Sequence, residues 1–227
     1  MTFVALEFKV VVNDPKAEPH PRGLKVHVKG SEDIPFSKEE ELDQGTRLPV
    51  ARANPKLLEA LKAEYSLVTV RLVKKEGEER KKITAHFFVE ADENVPENEI
   101  WANPDFLSAR FGESEFDAVA FRTKAFQITI KGDQARHFIG KKYKDLVPAS
   151  VIGIKSLRDK FLEIRGGSDE SGFPMRPDIP GPVKKRVLLS GPPGFHPREK
   201  GERRRKMVRG NTITEDYVQI NTKIVEG

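Results

Sequence analysis

Apolar positions in this chain fall in short runs, several of them partly alternating, punctuated by Gly, Pro and charged residues. Residues 3–12 (FVALEFKVVV) and 24–29 (LKVHVK) are rich in β-branched residues with partial alternation, and predict two strands. The intervening NDPKAEPHPRG predicts a turn, since its prolines cannot continue a central ladder. Two more strands are expected at 67–74 and 82–90, joined by a hairpin with the charged tip EGEERK. Others fall at 117–122, at 125–131, near 160–165 and in VKKRVLLS. In DYVQINTKIV, Tyr217, Gln219, Asn221 and Lys223 alternate against Val218, Ile220, Thr222 and Ile224, as in a half-buried strand.

Helical periodicity is confined to short segments. Asn54-Pro55 and Asn103-Pro104 each place a capping side chain before a proline suited to the first helical position. Leu57, Leu58, Leu61 and Tyr65 follow the first on one face, and Gly112 closes the second helix. Asp133 is placed to cap a short helix ending at Gly140, and 148–153 predicts another helical turn. Ser37 with Glu40 fits a capping box, but hardly any apolar face follows it, so 30–56 reads as polar and loop-rich. GGSDESGFPMRPDIPGP holds four Gly and four Pro in seventeen residues, too many for regular structure. Many short strands with few helices predict a mainly β fold, a barrel or a mixed β-rich domain.

Composition narrows the class. A chain of 227 residues with 37% hydrophobic and 33% charged positions can build a core and still leave extended polar segments. No run approaches the length of a membrane helix, and the N-terminus lacks the pattern of a signal peptide, so a soluble intracellular protein is expected. The absence of Cys excludes disulfides, thiolate metal sites and cysteine nucleophiles. With high Lys, Arg and Glu it also fits a thermophilic source. The formal charge of +5 is unevenly spread. Residues 184–209 hold ten Lys/Arg and two Glu, net +8, and the remainder is net −3, which points to a local contact with a polyanion.

Within that stretch GERRRKMVRGN sets Arg203, Arg204, Arg205, Lys206 and Arg209 within seven residues. Guanidinium groups bind phosphate in a bidentate fashion, and each neutralised phosphate releases counterions. Gly201 and Gly210 flank the run and are expected to let it approach a nucleic-acid backbone closely. The plainer alternative is a solvated charge run, which leaves the repulsion among adjacent cations uncompensated. GPPGFHP offers Phe195 and His196 for stacking on a base, or Phe195 as a pin of a rigid loop to the core. Like charges and sparse apolar content predict little order for 191–211 in the absence of RNA.

Catalytic signals are missing. GGSDESG is neither a Walker loop nor a calcium loop, and is expected to form a tight turn on an RNA-facing surface. His20, His27, His86, His137 and His196 are dispersed without metal-ligand spacing, and no nucleophile elbow occurs. No enzyme, metal, cofactor or small-molecule substrate is therefore expected. An RNA-modifying or nucleolytic enzyme, with paired carboxylates in the acidic stretch 31–124, is the rival from another class.

A longer pattern adds to this reading. Gly166 to Arg176 (GGSDESGFPMR), Lys185 to Ser190 (KRVLLS), Gly191 to Phe195, Gly201 to Ile213 (GERRRKMVRGNTI) and Val218 to Asn221 (VQIN) follow one another colinearly. This series resembles the archaeal/eukaryotic-type small ribosomal subunit protein six family. FKVVVNDPKA and FQITIKGDQARHFIGKKYKDLVPASVIGI resemble its opening and middle, while VPENEIW and FRTKAFQI look like its crenarchaeal long form. Met207 stands where the family commonly has Ser or Thr. The chain stops at Gly227, without the basic phosphorylated tail of eukaryotic members, so their regulation is not carried over.

The resemblance implies a cytoplasmic, ribosome-bound structural protein that contacts small-subunit ribosomal RNA and neighbouring ribosomal proteins and has no membrane association. It implies a small β-barrel with short helices and extended basic loops in residues 1–30 and 125–227, with 31–124 inserted as an α+β region. The residues expected on phosphate are Arg203, Arg204, Arg205, Lys206 and Arg209, supported by Lys184, Lys185, Arg186, Arg198, Lys200 and Arg176. A free RNA-binding, translation-associated factor is the alternative role.

Overall fold

The computed structural model describes residues 6–18, 21–76 and 79–226, the side chains of 75–76 and 79–80 excepted. Residues 3–5 of the first expected strand, His20 and the tip of the charged hairpin lie outside the described residues. The chain divides into two compact units, Met1–Asn13 with Gln127–Gly227, and Asp14–Phe126. Among the described residues thirteen strands run in chain order: β1 (Glu7–Asn13), β2 (Leu24–Gly30), β3 (Val50–Ala53), β4 (Leu67–Glu76), β5 (Glu79–Ala91), β6 (Glu99–Ala102) and β7 (Glu115–Arg122). They continue as β8 (Ala125–Lys131), β9 (Leu146–Pro148), β10 (Lys160–Asp169), β11 (Lys184–Leu189), β12 (Arg204–Arg209) and β13 (Tyr217–Glu226).

In the middle unit six strands close into a barrel in the order β2-β6-β3-β5-β4-β7. Closure follows from alternation: Val26, Val28, Val70, Phe87, Val89, Ile100, Ala118 and Ala120 belong to one buried cluster, and a closed sheet leaves no open edge. Helices α1 (Pro55–Ala60) and α2 (Pro104–Phe111) start as their sequences predict. The Asn54 side chain accepts from the Lys56 N–H at 3.1 Å, and Asn103 accepts from the Asp105 N–H at 2.9 Å. Each asparagine amide also donates to a distant carbonyl at 2.8 Å, Asn54 to Val95 and Asn103 to Ile34. Gly112, at φ +79°, ends α2.

In the outer unit a five-stranded sheet has the order β8-β1-β13-β10-β9. β1 runs parallel to β13, and β10 antiparallel to it. Phe8, Val10, Val12, Leu162, Ile164 and Ile220 are wholly buried. β13 alternates as expected from Ile220 to Ile224, but Tyr217 is buried and Val218 is 39% exposed. The β10–β13 register shifts between Ser168 and Asp169, which reverses the facing at that end of the strand.

The fold is mainly β with a closed barrel, but the barrel lies elsewhere than the resemblance implied. It is built from the middle unit, and the outer unit is an open sheet. β2, expected with the outer region, pairs with β6 and β7 and belongs to the barrel. The expected break at residue 30 is therefore displaced to Asn13, and that at 124 to Phe126. Short strands β3 and β6 arise where no strand was expected, each finding partners inside the closed sheet. Asp133 is the first residue of α3 (Asp133–Arg136), with Gly132 in the capping position and no side-chain cap.

Candidate nucleic-acid interface

The basic stretch is ordered as a two-stranded antiparallel ribbon of β11 and β12. The register pairs Lys184 with Arg209, Lys185 with Val208, Arg186 with Met207, Val187 with Lys206, Leu188 with Arg205 and Leu189 with Arg204. The expectation of little order in 191–211 neglected this pairing and the apolar residues it brings together. Leu189, Phe195 and Val208 form a small buried cluster joined by Ile179 and Val187. Gly194, at φ +99°, folds the loop over the cluster, where an added Cβ would lie 3.3 Å from both Leu189 and Val208. Phe195 is 7% exposed and pins the loop, leaving His196 exposed.

Three predicted phosphate ligands serve the root of the ribbon. Arg209 is buried: it donates to Asp216 at 3.1 Å and to the Thr214 hydroxyl, and its guanidinium lies 5.4 Å from the centre of the Tyr217 ring. Lys184 lies 3.4 Å from the buried Asp169 carboxylate and over the Phe173 ring. Arg176 grips Asp178 with two hydrogen bonds of 2.8 and 2.9 Å and donates at 3.1 Å to the Pro193 carbonyl, holding the Gly-Pro loop. Its hydrogen bonding holds the Asp178 carboxyl below the usual range. Gly210 serves the chain itself as well, because an added Cβ would lie 2.0 Å from the Gly181 carbonyl oxygen. Asn211 accepts from the Gly181 N–H at 3.1 Å, and the Tyr217 hydroxyl donates to the Gly210 carbonyl at 3.1 Å. The RGN sequence thus fastens the ribbon to its unit.

The other predicted residues remain outward. Lys185, Arg186, Arg198, Lys200, Arg203, Arg204, Arg205 and Lys206 are all exposed. Arg204 pairs with Glu202 at 2.8 Å. The Glu202 carboxyl is held below its ordinary range, first by the hydrogen bond from the Arg198 N–H and then by the Arg204 charge. Arg203, Arg205, Lys206, Lys185 and Arg186 make no ion pair among the described residues. A narrow ribbon carrying this many unpartnered cations can engage phosphate along its length. The described residues contain no group of three His, Asp or Glu side chains placed to hold a metal. The nearest approach to a titrating cluster is on the barrel, where His27 bridges Asp117 and Glu115 at 2.8 Å each. Those hydrogen bonds raise the imidazole pKa.

Residues 118–227, ribbon included, match the family model described as Ribosomal protein S6e. Over 219 residues the chain is 51% identical to the small ribosomal subunit protein eS6 of Hyperthermus butylicus, covering 96% of this chain and 97% of that protein. The chain belongs to the S6e family. Its likeness to the Staphylothermus marinus protein of the same name is 49% over 218 residues, covering 96% and 98%, and to that of Saccharolobus solfataricus 42% over 220 residues, covering 96% and 99%. Alignments of that length take in the middle unit, so these S6e relatives share it.

Sequence reasoning about this S6e chain found the cations but not their division of labour. It missed Asp169, Asp178, Thr214 and Asp216, the acceptors that claim Lys184, Arg176 and Arg209. It also missed the pairing of KKRVLL with RRKMVR. One signal was available: two runs of equal length, each mixing cations with aliphatic residues, flank a Gly-Pro-rich connection.

Proposed function

We propose that this protein is a structural constituent of the archaeal small ribosomal subunit, in the cytoplasm, that binds ribosomal RNA through the β11–β12 ribbon and its loops. The observation that carries this reading is the near-full-length identity to small ribosomal subunit proteins. The role is architectural and not catalytic: exposed Arg and Lys neutralise converging phosphate backbones and so stabilise the packing of RNA helices. Arg203, Arg204, Arg205, Lys206, Lys185, Arg186, Arg198 and Lys200 are the phosphate contacts, with recognition mainly through backbone and shape. Arg176, Lys184 and Arg209 hold the ribbon in place. Neighbouring ribosomal proteins complete the set of partners.

Sedimentation of cell extract at high salt tests the role. One copy per small subunit, resistant to salt, is expected; a chain left mainly at the top of the gradient would make it a free translation-associated factor. The residues are tested by changing Arg203, Arg204 and Arg205 together to Ala. Affinity for small-subunit RNA is expected to fall, with the salt dependence flattened by about two to three, given ~0.7–0.9 per phosphate contact. Unchanged affinity and slope would place the RNA contact elsewhere.

A further inference from the structure

The two faces of the ribbon differ in kind. Side chains alternate along a strand, and directly paired residues share a face. One face therefore carries Val187, Leu189 and Val208, covered by Phe195 and Ile179, together with their exposed pairing partners Lys206, Arg204 and Lys185, so its apolar side chains are turned to the chain's own core. On the other stand Lys184 with Arg209, Arg186 with Met207 and Leu188 with Arg205. Lys184 and Arg209 turn into the chain at the root. Beyond them Arg186 and Arg205 occupy one diagonal, and Leu188 and Met207 the other. Leu188 is 56% exposed, the largest value among the exposed large hydrophobic side chains of the described residues, and Met207 is half-buried.

We propose that this second face lies along the shallow minor groove of RNA and makes the ribbon's apolar contact, while Lys185, Arg204 and Lys206 on the first face reach phosphates at the edges of the groove. Arg186 and Arg205 reach phosphates, and Leu188, backed by Met207, lies on the ribose and base surface between them. The proposal rests on the RNA-binding reading above and specifies how that site makes contact. A purely electrostatic contact gains nothing from an isobutyl group, whereas removing apolar surface from water contributes about 25 cal/mol per Å². The A-form major groove is too deep and narrow for side chains, while the minor groove is wide, shallow and lined by riboses beside the phosphates. A protein partner fits less well, because the centres of protein–protein interfaces are depleted of charge and here Leu188 stands among cations.

The test is equilibrium binding of the full chain to small-subunit ribosomal RNA over a salt series. Leu188→Ser is expected to weaken binding roughly ten-fold with the salt slope unchanged, as loss of a buried aliphatic contact does. Leu188→Met is expected to bind like the wild type. Changing Arg186 and Arg205 together to Ala is expected to weaken binding and flatten the slope by about one to two. Because Leu188 is exposed, these variants should keep the wild-type circular dichroism spectrum. A Leu188→Ser chain that matches wild-type affinity at every salt concentration overturns the assignment. If that chain is also poorly incorporated into small subunits, the face belongs to a protein neighbour. Absence of RNA binding by the wild type would instead sink the RNA-binding reading itself.

Discussion

Arg209 and Arg205 lie in one basic run, yet their surroundings assign them opposite work. Arg209 has a side chain 5% exposed, with Asp216, Thr214 and the Tyr217 ring as partners, and its backbone N–H donates to the Pro174 carbonyl at 2.9 Å. Its Nε is buried without a hydrogen-bond partner, so the site already gives up part of the donor capacity of the guanidinium. Truncation removes charge-assisted hydrogen bonds and packing, but leaves Asp216 half in water, which limits the penalty. Arg209→Ala should therefore cost about 2 kcal/mol of stability, seen as a lower urea midpoint, and leave the salt dependence of RNA binding intact. Arg205→Ala should do the reverse, with stability within ~0.5 kcal/mol and a slope smaller by about one. An Arg209→Ala chain of wild-type stability with a flattened slope would return Arg209 to the phosphate contacts.

At the scale of the element, the ribbon depends on a glycine that cation counting passes over. Gly210 approaches Gly181 so closely that a Cβ would lie 2.0 Å from its carbonyl oxygen, a backbone atom that cannot swing aside. Gly201, at φ +89°, has no atom within 4 Å of such a Cβ and bears only the strain of its dihedral angle. Gly210→Ala should cost roughly 3 kcal/mol and lower RNA affinity by loosening the ribbon, and Gly201→Ala about 1–2 kcal/mol with affinity kept. Urea denaturation of both variants decides it: equal costs would mean that the close approach is not structurally required. The same contrast explains what the sequence could tell. Asn54-Pro55 and Asn103-Pro104 announced their helices because capping is local. β12 was hidden because its order comes from Leu189, Phe195 and Ile179, distant in sequence. Five cations in seven residues outweigh Met207 and Val208 in any short window.

At the scale of the molecule, charge is partitioned with the cores. Residues 14–126 hold 18 Lys/Arg against 22 Asp/Glu, net −4, and the rest of the chain 22 against 13, net +9. Pattern alone could not place the boundary, since both units are built from the same alternating strands. The LKVHVK run announces a strand but not that its partners are β6 and β7. The middle unit has what independent folding requires: a closed sheet, a continuous core and ends that meet, with the Asp14 N–H donating to the Lys124 carbonyl at 2.8 Å. Made alone, residues 14–126 should unfold in one cooperative transition on heating. Their net negative charge should leave them without measurable affinity for small-subunit RNA at a salt concentration where the full chain binds. Retention of the full chain's affinity by the segment would move the RNA contact to the barrel and strip the ribbon of its function. Loss of affinity with folding intact assigns the RNA contact to the outer unit, which carries the net +9.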